Sequence, residues 1–470
     1  MTVEALRSAA EDLFRRGDPG AAFAAAVAGL ARIPDDPELL RIAGNCALVM
    51  GDDTAALGWY SRAIDADPRA VEPRVNAGLI HRKHHRLDAA RRMLRECLAI
   101  DADNRAAWLN LASCYVNEGE PQAGEAVARE AIARCGDLAD LRWNLALVLL
   151  EQQAWREGWR HHAARAALPG FFPPPWSGAP TARRLGDLTA LRPGARVVCH
   201  GEQGLGDEIL FAGMLREFAA AVRDRGASLA LACNPRLRTV FARNFDMPLL
   251  DTEAGERALA SADWVVAIGD LGRFHRNEPE AFPRHRGYLA PDPGRVDSIR
   301  AELVARAAGR PLVGLAWSGG RPRTHAAYRR IPLAAWLPLV SQPACFVSLQ
   351  YTDDEAEVES LRRRHRIEVL RVPHLTRHED YGETFALVAA LDLVVTVPTS
   401  VLHVAGAVGR ACFVVMDRRA AWRECSADGR LPWYPLTHER FVRHGDGEGW
   451  GRVLEAAARS YATWIAMRRR

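Results

Sequence analysis

The chain has 470 residues, 49% apolar and 26% charged, the profile of a globular protein of two or three domains. Its 62 Lys and Arg against 58 Asp and Glu leave a net charge of only +4, which excludes nucleic-acid binding by bulk electrostatics. Nine scattered cysteines, with no C-x-x-C and no His/Cys zinc spacing, read as reduced thiols and give no metal site. The N-terminus, MTVEALRSAAEDLF, is amphipathic and lacks the apolar core of a signal peptide. No apolar run approaches the roughly 20 residues that span a bilayer. The expectation is a cytoplasmic protein without a membrane span.

The first third repeats. Small residues recur every 34 positions at Ala10, Gly44, Gly78, Ala112 and Ala146, and a second series follows at Ala22, Ala56, Ala90, Gly124 and Gly158. Pro34 and Pro68 close the first two units, while the later units carry Ala102 and Gly136 there. Small side chains let antiparallel helices approach closely, and proline ends the second helix. Over residues 3–168 the pattern resembles the tetratricopeptide repeat, which implies an α-helical superhelix whose concave face binds an extended peptide. Asn76, Asn110 and Asn144 share one register, with Ile42 in the earlier unit. Their carboxamides suit gripping the backbone of a protein acceptor, or equally bonding the neighbouring helix. Trp108 and Trp143 read as packing residues.

Residues 168–180, LPGFFPPPWSGAP, read as a stiff extended connector in which Trp176 anchors the segment. Beyond it, short apolar runs alternate with helices. Val197–Cys199, Leu229–Cys233 and Trp264–Ile268 are expected strands of one parallel sheet, with helices Glu208–Asp224 and Pro235–Asn244 between them. A second set runs Leu312–Ala316, Cys345–Leu349, Ile367–Arg371, Leu393–Val397 and Cys412–Val415, with helices from Ala334, Ala356, Glu383 and Val401. The break is Pro279–Pro293. The expected organisation is a repeat array at 1–168, a linker at 169–192, and two Rossmann-like α/β lobes. These lobes span 193–290 and 291–470, the latter with a C-terminal helix, and a ligand cleft lies between them.

Two turns carry the chemistry. In VVCHGEQGLGDEILF, residues 197–211, a strand meets a glycine-rich turn with Gly204 and Gly206 and then a helix, so backbone N–H groups converge as an anion site. Asp207 at its mouth either caps the helix or accepts a proton from a substrate hydroxyl. The spacing is neither the dinucleotide G-x-G-x-x-G nor a P-loop. In the second turn a buried strand leads to Pro398-Thr399-Ser400 and a helix from Val401, where hydroxyls and N–H groups converge again.

GEQGLGDEILFA, GLAWSGG (314–320), FVSLQ (346–350), the 383–409 run and PWYP (432–435) occur in order. Together they resemble the bacterial tetratricopeptide-linked glycosyltransferases of GT-B fold. That group is similar to the heptosyltransferases and, more distantly, to O-linked N-acetylglucosamine transferase. The resemblance implies transfer of a sugar from a nucleotide-sugar donor to a hydroxyl of a protein acceptor, with no metal and no cofactor beyond that donor. It makes Asp207 the base and Arg329 the cation facing the departing nucleotide. Ser318, Gly319, Arg330, Gln350, Glu383, Thr384, Thr399, Ser400, Val401 and His403 then line the donor. Flagellin as acceptor and a nonulosonic acid as donor sugar are guesses from the same relatives. The family's Asp is replaced by Pro398, its second Asp by Ala326, and its Ser by Arg330. Two other readings stand beside this one: a non-catalytic scaffold with a decayed transferase module, and a heptosyltransferase-like enzyme for a lipid-linked glycan.

Overall fold

The structure, a computed structural model, describes residues 2–169, 183–282, 284–319, 329–418, 422–424, 431–444 and 449–468. Trp176, Gly320 and Ala326 therefore lie outside the described residues, as does most of the expected linker. The chain forms two compact units, Met1–Val148 and Leu149–Arg470.

The first unit is helical throughout. Its helices are α1 (Val3–Arg15), α2 (Pro19–Leu30), α3 (Pro37–Val49), α4 (Asp53–Ala66), α5 (Glu72–Lys83), α6 (Leu87–Ile100), α7 (Arg105–Glu118), α8 (Pro121–Cys135) and the start of α9 (Ala139–Glu151). Local chemistry sets their starts. Asp18, Asp36, Asp52 and Asn104 each accept the N–H three residues on, at 2.9–3.0 Å. Pro34 and Pro68 lie in the turns after α2 and α4. Where the third and fourth units lack proline the turns still form, and after α8 Gly136 supplies a left-handed φ of +90°.

The small-residue series marks where helices touch. Ala10, Ala22, Ala56 and Ala90 are fully buried. A Cβ on Gly44 would stand 2.5 Å from the Tyr60 ring, and one on Gly78 would stand 2.9 Å from Leu94. No side chain larger than hydrogen fits at either place without displacing its neighbour.

The second unit holds two parallel sheets. The first comprises β1 (Arg196–His200), β2 (Ser228–Ala232), β3 (Leu249–Leu250) and β4 (Trp264–Ala267), in the order β3-β2-β1-β4. The second comprises β5 (Leu312–Ala316), β6 (Cys345–Ser348), β7 (Val369–Leu370), β8 (Leu393–Thr396), β9 (Cys412–Asp417) and β10 (His438–Arg443), in the order β10-β9-β8-β5-β6-β7. β5, β6 and β8 are buried along their whole length, as a sheet covered on both faces requires. The core includes Leu315, Trp317, Trp336, Phe346, Val395 and Tyr461, the last from the C-terminal helix Trp450–Arg468.

Three expectations are corrected. The helix expected over Glu208–Asp224 is two, α11 (Leu205–Ala212) and α12 (Leu215–Arg223). They separate at Gly213, where a Cβ would stand 3.3 Å from the Tyr288 ring. β3 and β10 were not expected, and the Ile367–Arg371 strand shrinks to the two residues of β7.

Helix α10 (Trp155–His162), the last of the repeat pattern, lies within the second unit. Trp159 covers Gly272, where a Cβ would stand 2.4 Å from the indole, and its Nε1 donates to the Arg276 carbonyl at 2.8 Å. Trp155 packs on Phe282, with ring centroids 4.7 Å apart. One turn later the fully buried Arg165 donates to Glu202 at 2.8 Å and to Asp270 at 2.5 Å.

Candidate functional site

β1 ends at His200, and the turn that follows is shaped from below. A Cβ on Gly201 would stand 2.5 Å from the Glu208 carboxylate, so any larger residue there would displace that carboxylate. Glu202 is fully buried, held by Arg165 and by the Gly269 N–H at 2.8 Å. Gln203 takes a left-handed φ of +62° and turns the chain toward α11. Gly204 is the N-cap, and Asp207 is the third helical residue.

Asp207 keeps about one-fifth of its side chain exposed (22%), and its Oδ1 lies 2.6 Å from Arg423 Nε. Burial pushes its carboxyl above the ordinary range, while Arg423 first, then Arg329 and the Gly204 N–H, pull it back. The neighbouring Glu208 is buried and accepts the Asn234 N–H at 2.9 Å. Burial raises its carboxyl to about 8.

The second turn follows β8. Thr399 is the N-cap of α13 (Ser400–Ala407), its Oγ1 accepting the Val401 N–H at 3.3 Å. Ser400 Oγ and Tyr381 Oη share a hydrogen bond of 2.7 Å. Gly319 lies against the turn so closely that a Cβ would stand 2.3 Å from Thr399 Cγ2. Beside it Gln350 braces the end of β5. Its Oε1 accepts the Trp317 and Ser318 N–H groups at 3.1 and 3.3 Å, and its Nε2 donates to Ser318 Oγ at 2.5 Å. Arg330, exposed, pairs with Ser318 in an isolated antiparallel bridge, and the Gly319 N–H donates to the Arg329 carbonyl at 3.1 Å.

The two turns meet. A Cβ on Gly206 would stand 3.0 Å from His403 Cδ2 and 3.4 Å from Ser400 Cα. The short run Trp422–Glu424 completes the meeting. Arg423 Nη2 donates to Gln203 Oε1 at 2.6 Å, and Glu424 Oε1 lies 4.0 Å from His403 Nε2. Arg329 adds its charge to the fields at Asp207, His403 and Glu424. Burial, with Arg423 next, drives His403 well below its ordinary value, so it stays neutral; its Nδ1 is 3.3 Å from Tyr434 Oη. Burial likewise raises Glu424. Nearby, a cavity of about 780 Å³ opens between Arg236 and Thr239 on one side and Tyr351, Thr376, Arg377 and Asp380 on the other.

Gly204, Gly206, Asp207, Arg329, Thr399, Ser400, Val401 and His403 thus converge, with Ser318, Gly319, Arg330 and Gln350 alongside. Glu383 and Thr384 are engaged elsewhere. Glu383 takes Arg295 Nε at 2.8 and 3.0 Å, and buried Thr384 donates to the Leu375 carbonyl at 3.2 Å. Sequence reasoning missed Arg423, Glu424, Tyr381 and Tyr288. The run before PWYP offered Arg423 and Glu424, but without a period to place them. Of the asparagines, Asn76 donates to Asn45 Oδ1 at 3.0 Å and Asn144 to the Leu109 carbonyl at 3.1 Å, while Asn110 bonds its own helix at Ala106. The amide donors of Asn76 and Asn144 therefore serve the neighbouring helix. Asn45, from the unit whose register position is Ile42, joins that network through Tyr60.

The tetratricopeptide repeat family matches residues 81–137. The chain carries tetratricopeptide repeats. Over an alignment of 475 positions it is 28% identical to Protein FlbA of Caulobacter vibrioides, covering 90% of this chain and 78% of that one. It is 33% identical over 67 residues to the UDP-N-acetylglucosamine–peptide N-acetylglucosaminyltransferase of Giardia intestinalis, covering 14% of this chain and 4% of that one. Among solved structures, a tetratricopeptide repeat protein of Thermus thermophilus is 20% identical, with a TM-score of 0.31, covering 36% of this chain and 93% of that one. Among the described residues no helix is long and apolar enough to cross a membrane, and no His/Cys/Asp/Glu group is placed to hold a metal ion.

Proposed function

We propose that this protein is a glycosyltransferase that moves a sugar from a nucleotide-sugar to a hydroxyl of a protein acceptor recruited by its repeats. The two parallel sheets are read as the lobes of a GT-B arrangement, with the donor between them. One observation carries the reading. Gly206 seats directly against Ser400 and His403, so the N-termini of α11 and α13 and the carboxylate of Asp207 belong to one place. Two helix N-termini and the cation Arg329 offset the charge of a leaving nucleotide phosphate. The adjacent cavity has room for the nucleoside. The acceptor oxygen attacks the anomeric carbon, and the bond from that carbon to the phosphate oxygen breaks with its electrons. The acceptor proton passes to Asp207.

Binding of the acceptor to the repeats, on the same chain as this site, raises its effective concentration for transfer. The transferase name of the Giardia relative supports a protein acceptor, and flagellin with a nonulosonic acid donor is the first pair to test. Calorimetry against UDP-, GDP-, ADP- and CMP-sugars is expected to give one clear binder. Asp207→Asn is expected to cut transfer at least about 100-fold while leaving donor affinity within about threefold. Silence from the whole panel would favour the scaffold reading. Transfer to a lipid-linked glycan rather than protein would favour the heptosyltransferase-like one.

A further inference from the structure

Resting on the glycosyltransferase reading, we propose that Arg423 is a positioning residue: it fixes one carboxylate oxygen of Asp207 and leaves the other to take the acceptor proton. Three contacts set the guanidinium. Its Nε lies 2.6 Å from Asp207 Oδ1, and its Nη2 donates to Gln203 Oε1 at 2.6 Å. Its Cζ lies 4.8 Å from the centre of the Trp422 ring, which itself packs on Trp159 (5.5 Å between centroids) and Phe211 (6.5 Å). With only 12% of its side chain exposed, Arg423 has little freedom to move.

Oδ2, by contrast, lies on the side of Gly204, 3.9 Å from where a Cβ would stand, and Gly204 is exposed. The carboxylate, which also takes the Gly204 N–H, thus presents Oδ2 on the exposed side of the turn. A hydroxyl arriving there gives its proton to Oδ2 as its oxygen bonds the anomeric carbon and the phosphate departs with the bonding electrons.

The charges around Asp207 show why Arg423 matters. From the same turn Glu202 opposes its ionisation, while burial holds Glu208 on the same helix and Glu424 on the run that carries Arg423 toward their neutral forms. Arg329 assists ionisation, and His403 on α13 is neutral. Arg423 is the strongest charge on the assisting side. Without it the buried carboxyl keeps its proton to higher pH.

The test is the pH dependence of sugar transfer, using the nucleotide-sugar that binds in the calorimetric panel. Arg423→Gln is expected to move the acid limb up by at least about one unit, with rate recovering at high pH. Arg423→Lys is expected to return most of that shift, and Asp207→Asn to abolish the limb in either background. A rate lowered equally at every pH, with the limb unmoved, would overturn the assignment, because a purely structural role gives that result. If wild type transfers no sugar from any donor, the glycosyltransferase reading fails separately. The carboxyl is then titrated directly by carbon-13 NMR of labelled aspartate, assigned with Asp207→Asn. Equal titration of Asp207 in wild type and Arg423→Gln would overturn the contact's role as well.

Discussion

A chain trimmed to residues 169–470 is expected to lose cooperative folding, whereas 149–470 melts as one unit. The shorter chain removes α10 and the turn after it, although their pattern belongs to the repeats. Trp155 and Trp159 are 2% and 1% exposed, and losing a buried tryptophan costs about 3–5 kcal/mol each. Removing Arg165 leaves Glu202 and Asp270 as buried carboxylates short of their cation, a further 3–5 kcal/mol or so. Asp270 keeps Arg184 at 2.8 Å and Glu202 keeps one N–H, so the loss falls most heavily on Glu202, beside Gln203. Against a total stability of about 5–15 kcal/mol, these losses together are as large as the whole stability of a typical domain. Urea denaturation followed by far-UV circular dichroism decides the matter. Equal midpoints for the two chains would contradict this account of α10.

Glu208→Gln is expected to stabilise the protein, and increasingly so as pH rises from about 4.5 to about 8. Folded Glu208 holds its proton to about 8 because burial opposes its charge, whereas unfolded glutamate releases it near 4.5. Between those values the folded state binds the extra proton, so wild-type stability falls with rising pH through the window and levels above it. At 1.36 kcal/mol per unit, the full cost is on the order of 5 kcal/mol. Glutamine carries no charge and retains an oxygen for the Asn234 N–H. The midpoints of the two proteins should coincide near pH 4.5 and separate by pH 8.5. Parallel curves across that range would show that Glu208 ionises freely in the fold.

Where one local rule governs a segment, the sequence foretold it. The 34-residue period was readable because Gly44 and Gly78 face side chains that admit no Cβ. β5, β6 and β8 were readable because strands buried on both faces are continuous apolar runs. β10, at the sheet edge, reads HERFVR with only two of its residues buried, and β3 is two residues long, so neither has a period to detect. The break at Gly213 was hidden because apolar spacing continues through it, and Tyr288, which packs against it, is 75 residues away. The site divides in the same way. Gly204, Gly206, Asp207, Thr399 and Ser400 belong to strand–turn–helix segments that announce themselves. Arg423 and Glu424 sit in a short run without pattern, and packing of the neighbouring Trp422 on Trp159 and Phe211 helps bring them to Asp207.

The joint use of both turns is tested most directly by calorimetric donor binding to wild type, Gly206→Val and Thr399→Val under one set of conditions. Gly206→Val pushes a side chain into His403 and Ser400, and Thr399→Val removes the hydroxyl that caps α13 while nearly keeping its shape. The account predicts one nucleotide-sugar bound by wild type and affinity lowered at least about tenfold in each variant, although the two positions are 193 residues apart. A donor that binds wild type and both variants equally would contradict it.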